Sequence, residues 1–248
     1  MNPISLQNVS AARQKVLILD IDGVVLKAPR ALGRVSQHVC DYVQKELSIS
    51  DRRTAKRVNQ LLYTQFGHTL NGMRAVFNYP RPTEHFNDRV YTAPVFEALA
   101  DSVSDPDFRQ RAFEVWALIA HANKHNVPIF LFSNAPWFWC LSVYHMLRLE
   151  EHKIPEEHVL FSEHPVFSRR LKPDPVVYDH LEMFLAQRYH DDDLDLLFVD
   201  DSFANLVPTL QRHNWRNFHL LSGTRAPLLK APTVRTIRNI TEVARFLP

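Results

Sequence analysis

The sequence predicts an α/β fold, a parallel sheet covered on both faces by helices, with a block of helices inserted after the first strand. Three observations lead there. Short apolar runs of strand length alternate with stretches whose apolar residues recur at three- and four-residue intervals. The runs are nearly continuous in their apolar residues, as strands buried on both faces are. The alternation breaks only once, between residues 27 and 90, where helical patterns follow one another with no strand between them.

The first run, residues 16–21 (VLILDI), is apolar except for Asp20 and carries Val16, Ile18 and Ile21 as β-branched residues, so it reads as a buried strand. Leu32, Val35, Val39, Tyr42, Val43 and Leu47 then mark a helix, and Asp51 is placed to cap a second. Shorter helical patterns follow around the turn signal Asn78-Tyr79-Pro80-Arg81-Pro82. Phe108, Ala112, Val115, Trp116 and Ile119 mark a helix leading to a second strand at 127–133 (VPIFLFS). A third strand is expected at 159–162 (VLFS), and a helix marked by Val177, Leu181, Phe184 and Leu185 leads to a fourth at 194–199 (LDLLFV). Phe203, Leu206, Val207 and Leu210 predict one more helix before a fifth strand at 217–221 (NFHLL). The expected organisation is a core of residues 1–26 and 91–248 and a helical cap of residues 27–90, placed where it can exclude water from the sheet's ligand-binding end.

A chain of 248 residues, 46% hydrophobic and 23% charged, has ample material for a core. The formal net charge of +2 comes from charges mixed along the whole length. With no Lys/Arg block, the expected partner is a small anionic metabolite rather than a nucleic acid polymer. Cys40 and Cys140 lie far apart and outside any metal-ligand spacing, which reads as two reduced, buried thiols. Residues 1–15 lack the apolar core of a secretion signal and no 18-residue apolar run exists, so a cytoplasmic location without membrane association is expected.

Polar groups gather at the expected strand ends. Asp20 and Asp22, two apart on an extended chain, share a face at the carboxyl end of the first strand. Two like charges that close require a cation or a proton between them. The second strand ends in Ser133-Asn134, whose hydroxyl and backbone amides suit a phosphate oxygen, although such a pair is also ordinary turn chemistry. Lys172 stands before Pro173 and a helix, and the fourth strand ends in Asp200-Asp201-Ser202, with Asn205 close behind. Together these residues suggest one chemistry. Carboxylates from Asp20 and Asp200 are hard oxygen ligands for Mg²⁺, Lys172 and the ion neutralise a phosphoryl group, Asp20 attacks it, and Asp22 protonates the leaving oxygen. Because phosphate-monoester hydrolysis demands more than ~20 kcal/mol of catalysis, several groups must act together.

The stretches DIDGVV, FSN, LKPDP and FVDDSFANL, in that order, resemble the motif set of the haloacid-dehalogenase-like (HAD) hydrolases, over residues 16–221. The resemblance implies a Rossmann-like sheet in the order 5-4-1-2-3 with a helical cap inserted after the first motif. It implies Asp20 as nucleophile, Asp22 as general acid/base and metal ligand through its carbonyl, and Ser133 and Lys172 as phosphate binders. Asp200 would be the principal side-chain metal ligand, with Asp201 and Asn205 in support. Dehalogenase members lack an acid at the position of Asp22, whereas phosphatases and phosphomutases keep it, so the chain looks like a phosphatase. In the cap, residues 66–73 (FGHTLNGM) resemble a stretch of pyrimidine 5′-nucleotidase-like members, although the first motif departs from the Asp-Asn-Thr ending common there. The resemblance suggests a nucleoside monophosphate, faced by His68, Thr69, Asn71 and Arg74. A phosphomutase, or a non-catalytic binding protein on the same fold, are the alternatives. His121 and His125 read as a surface pair without a third ligand, the aromatic run at 137–139 as packing of the next helix, and the acids at 191–193 as a solvated loop.

Overall fold

The computed structural model describes residues 13–167, 170–221 and 231–248; the expectation that no secretion signal opens the chain falls largely on residues 1–12, outside them. Six strands form one parallel sheet: β1 (Lys15–Leu19), β2 (Ile129–Phe132), β3 (Val159–Leu160), β4 (Asp195–Asp200), β5 (Trp215–Leu220) and β6 (Val234–Ile237). Their order is β3-β2-β1-β4-β5-β6, the expected arrangement with β6 added outside β5. Each central strand is buried on both faces. Leu17, Leu19, Ile129, Leu131, Leu197 and Val199 enter one apolar core, while the alternate residues Val16, Ile18, Phe130, Phe132, Leu196 and Phe198 enter the other. This explains why their sequences are continuously apolar.

Helices α1 (Pro29–Glu46), α2 (Arg52–Phe66), α3 (Thr69–Phe77) and α4 (Thr83–Val90) follow β1 and have a hydrophobic cluster of their own, built on Val39, Tyr42, Val43, Leu62, Leu70, Met73 and Phe86. Local chemistry sets their ends. Asp51 accepts from Thr54 N–H at the start of α2, Asn78 ends α3 in a left-handed conformation, and Pro82 precedes α4. Helices α5 (Ala93–Asp101), α6 (Pro106–Lys124), α7 (Trp137–Met146), α8 (Pro175–Tyr189) and α9 (Phe203–Leu206) are the other α-helices among the described residues.

Two expectations need correction. The helix expected through Leu210 stops after four residues and continues only as a 3-10 turn, Val207–Thr209, because Pro208 has no N–H for the α-helical ladder. The edge strand β6 has no expected counterpart: Arg235 and Thr236 are exposed, so it carries no apolar run. Among the described residues no helix is long and apolar enough to cross a membrane.

Candidate active site

Register brings the site together. Leu19 of β1 pairs with both Leu131 of β2 and Val199 of β4, so these three strands end level and Asp20 and Asp200 emerge side by side. The alternation that sends Ile18 and Phe198 to one face sends Asp20 and Asp200 there too. Lys172 enters from the same face, its ammonium 4.7 Å from the centroid of the Phe132 ring. Its Nζ donates to Asp20 Oδ1 at 2.9 Å, Asp200 Oδ2 at 2.8 Å and Phe132 O at 2.8 Å. All three ammonium protons are thus used, and the side chain is 1% exposed.

The lysine's backbone is fixed as firmly. Asn134 accepts from Lys172 N–H at 2.8 Å and donates to Lys172 O at 2.9 Å. This places Asn134 as a clamp on the lysine, while the buried Ser133 Oγ accepts from Ala135 N–H at 3.1 Å and lies within hydrogen-bond reach of the Cys140 thiol. Asn205 Nδ2 donates to both oxygens of Asp200 at 3.0 and 3.1 Å, and Ser202 N–H adds a bond of 2.8 Å. Asp201 lies against the turn after β1. A Cβ on Gly23, whose φ is +85°, would stand 2.1 Å from Asp201 Oδ2, so only glycine fits there. Asp22 Oδ1 accepts from the indole N–H of Trp139 at 2.9 Å.

Negative charge exceeds positive here: Asp20, Asp22, Asp200 and Asp201 face one ammonium. Burial pushes Asp20 well above the usual carboxylate range; Lys172 opposes that, and Asp200, Asp201 and Asp22 add to it. Burial likewise raises Asp22 to about 6. Burial and the charge of Asp200 raise Asp201 to about 7. Burial alone would lower Lys172, but the charges of Asp20 and Asp200 outweigh it and hold the ammonium above its ordinary value. Oxygens of Asp20, Asp200 and Asp201 lie within 4.8 Å of one another. A hard, anionic donor set with surplus charge fits a small divalent cation.

These groups form the floor of a cavity of about 680 Å³ whose walls come from the helices after β1. Leu32, Val35 and Val39 of α1 and Phe86 and Val90 of α4 make an apolar side; Lys56, Asn59, Gln60 and Tyr63 of α2 make a polar one. Of the expected cap residues, His68 and Thr69 line the cavity, whereas Asn71 and Arg74 line a separate shallow groove beside Pro173. Arg74 donates to Arg81 O and Thr83 Oγ1, both at 3.2 Å, and Asn71 donates to Lys172 O at 3.4 Å. His68 Nδ1 accepts from Leu70 N–H at 3.2 Å, and burial, with Arg74 in support, lowers the imidazole to about 4.

No protein-family model matches the sequence, and no curated protein matches it significantly. Solved structures do. A HAD phosphatase from Thermococcus onnurineus superposes with a TM-score of 0.55 at 14% identity, over 94% of this chain and 97% of its own. An L-2-haloacid dehalogenase gives 0.52 at 13% identity, over 94% and 98%. A HAD family hydrolase from Deinococcus radiodurans R1, determined with bound phosphate and sodium, gives 0.51 at 17%, over 96% and 99%. The fold is the HAD-like fold.

In this HAD-like frame the structure gathers Asp20, Asp22, Ser133, Asn134, Lys172, Asp201 and Asn205 on the cavity's lining, with Asp200 fully buried beneath. Sequence reasoning missed two contributors. The sequence reads Trp139 as packing, yet at the start of the helix that follows the second motif it reaches Asp22 in the turn after β1. The polar face of α2 was missed as well, although residues 56, 59, 60 and 63 recur at helical spacing.

Proposed function

We propose that this chain is a Mg²⁺-dependent phosphatase that hydrolyses a small phosphomonoester through an aspartyl-phosphate. One observation carries the reading: the Lys172 ammonium lies within hydrogen-bond reach of both Asp20 and Asp200 at the floor of the cavity, with Asp201 completing a three-carboxylate cluster. Such a pocket holds an anion only where cations line it, and holds its own acids only with a cation or a proton among them.

Asp20, Asp200 and Asp201 would hold the divalent ion, which supplies Lewis-acid stabilisation of charge on the phosphoryl oxygens. Lys172, turning one N–H from Asp20 to the substrate, and the Ser133 hydroxyl bind the remaining oxygens. A carboxylate oxygen of Asp20 attacks phosphorus, the ester P–O bond breaks, and Asp22 gives its proton to the departing alkoxide. Asp22, now a carboxylate, takes a proton from water; that water attacks phosphorus, and inorganic phosphate and free Asp20 result. The structural neighbours include dehalogenases as well as a phosphatase. Asp22 favours the phosphatase: a halide departs without a proton, whereas an alkoxide needs one. The cavity's volume suits a ligand of nucleotide size, and its apolar wall beside the amides of Asn59 and Gln60 suits an organic part with a flat face and polar edges. A nucleoside monophosphate meets that description.

The test is phosphate release from p-nitrophenyl phosphate and from a panel of nucleoside monophosphates, sugar phosphates and alkyl phosphates, with Mg²⁺ or with EDTA. Turnover is expected with Mg²⁺ alone, and Asp20→Asn should lower it at least ~1,000-fold. Activity retained in Asp20→Asn, or absent from the wild type across the panel, overturns the reading. Conversion of a sugar phosphate to its isomer without free phosphate would assign the site to a phosphomutase instead.

A further inference from the structure

The main chain around Asp22 is pinned from several sides. Gly23 N–H donates to Leu26 O at 3.0 Å, Val25 N–H to Asp20 O at 3.3 Å and Leu26 N–H to Ile21 O at 2.8 Å. The buried guanidinium of Arg111, from α6, donates to Gly23 O and Val24 O. With the backbone fixed, only rotation of the Asp22 side chain is left to control. Its Oδ1 takes the indole N–H of Trp139 at 2.9 Å, from a residue 117 positions further along the chain. Trp139 is itself fully buried, with ring centroids 5.4 Å from Tyr91 and 5.8 Å from Phe96. In that packing it has no room to turn away.

An indole N–H donates and cannot accept. The carboxyl oxygen that receives it is the poorer seat for a further proton, so the proton that Asp22 delivers sits on Oδ2. We propose that Trp139 is a positioning residue for the general acid: by occupying Oδ1 it presents the protonated Oδ2 edge of Asp22 to the leaving-group oxygen. The proposal rests on the phosphatase reading above. It makes Trp139 the residue that determines how well the enzyme expels poor leaving groups, although the indole touches no reacting atom.

A packing role and this positioning role separate by leaving group. Nitrophenolate departs without a proton and an alkoxide does not. The quotient kcat/KM covers steps only as far as transfer of the phosphoryl group to Asp20, so water activation does not blur it. Trp139→Phe keeps a buried ring and removes the N–H. We expect kcat/KM for an alkyl phosphomonoester to fall ~10-fold or more, and that for p-nitrophenyl phosphate to change less than ~3-fold. In an Asp22→Ala background the same substitution should add nothing. Equal losses on both esters, no loss on either, or a further loss without Asp22 overturns the role of Trp139. Should Trp139→Phe fail to fold, isotope-labelled indoles give a second reading: Asp22→Ala should move the Trp139 N–H resonance upfield, and an unmoved resonance overturns the proposal. A wild type that cleaves neither ester removes the phosphatase reading and this role together. Cleavage with equal losses removes the role alone.

Discussion

At the scale of single residues the site is a problem in charge. Lys172 spends its ammonium on two carboxylates and one carbonyl inside the protein; under the proposed phosphatase reading it meets the substrate's charge as well. Removing one partner of a buried ion cluster leaves the others uncompensated and typically costs ~3–5 kcal/mol. Lys172→Ala should therefore lower the melting temperature of the metal-free protein, in addition to reducing kcat at least ~100-fold. Unchanged melting and near-normal turnover would remove the lysine from both roles. Gly23 poses the opposite case, where nothing is the right side chain. A methyl group there would collide with Asp201 Oδ2 and strain a positive φ, so Gly23→Ala should displace Asp201 and weaken Mg²⁺ binding ~10–100-fold by titration calorimetry. An unaltered affinity would exclude Asp201 from the ligand set. Neither role was visible in the residue itself. Lys172 looked like any surface lysine, and only its order among the other motifs distinguished it.

At the scale of elements, what the sequence reveals depends on how local the cause is. Asp51 was identifiable as a cap because its carboxylate bonds an amide three residues on, Thr54 N–H at 2.7 Å; no knowledge of the fold is required. Asp51→Ala should lower the melting temperature by ~2–4 °C for a chain of this size. Because Asp51 caps the end of α2 opposite Tyr63, the residue that reaches Ser202 beside the acids, kcat on p-nitrophenyl phosphate should stay within ~2-fold, and a large loss would show that the start of α2 helps to hold the reacting groups. The buried strands were legible for the same local reason: two-sided burial writes an apolar run into each. β6 was not, since an exposed edge strand leaves no such record. The cap residues were legible only in part. Successive residues on a helix turn by ~100°, so a contiguous stretch cannot all face one cavity; His68 and Thr69 reach it while Asn71 and Arg74 turn to the groove beside Pro173. The polar face of α2 was obscured by its resemblance to a solvated surface, a distinction that only tertiary structure makes.

At the scale of the whole molecule, the acid cluster ties folding to pH and to metal. Desolvation, with the charges of Asp200 and Asp22, raises Asp201 to about 7, and desolvation raises Asp22 to about 6. A carboxyl whose folded pKa lies above its unfolded value binds protons more tightly when folded, so its contribution is fully present below about 3.8, the unfolded value, and is lost as pH rises through the folded value. His68 works in the other direction. Held down to about 4 from 6.5, it favours the folded state above 6.5 and costs stability as pH falls through that window. The two effects oppose one another in mildly acidic solution, but above pH 6.5 only the acids remain. The metal-free protein should therefore lose melting temperature between about pH 6.5 and 8.5. A divalent ion reverses the loss, because its ligands must be ionised to bind it and because binding only the folded state adds about 2.7 kcal/mol at a hundredfold excess over Kd. The rise in melting temperature on adding Mg²⁺ should accordingly be larger at pH 8.5 than at 6.5, and Asp201→Asn should flatten that difference. Equal stabilisation at both pH values, or none in either, would mean that the three carboxylates do not share an ion. The clustered charge would then be carried by protons and Lys172 alone.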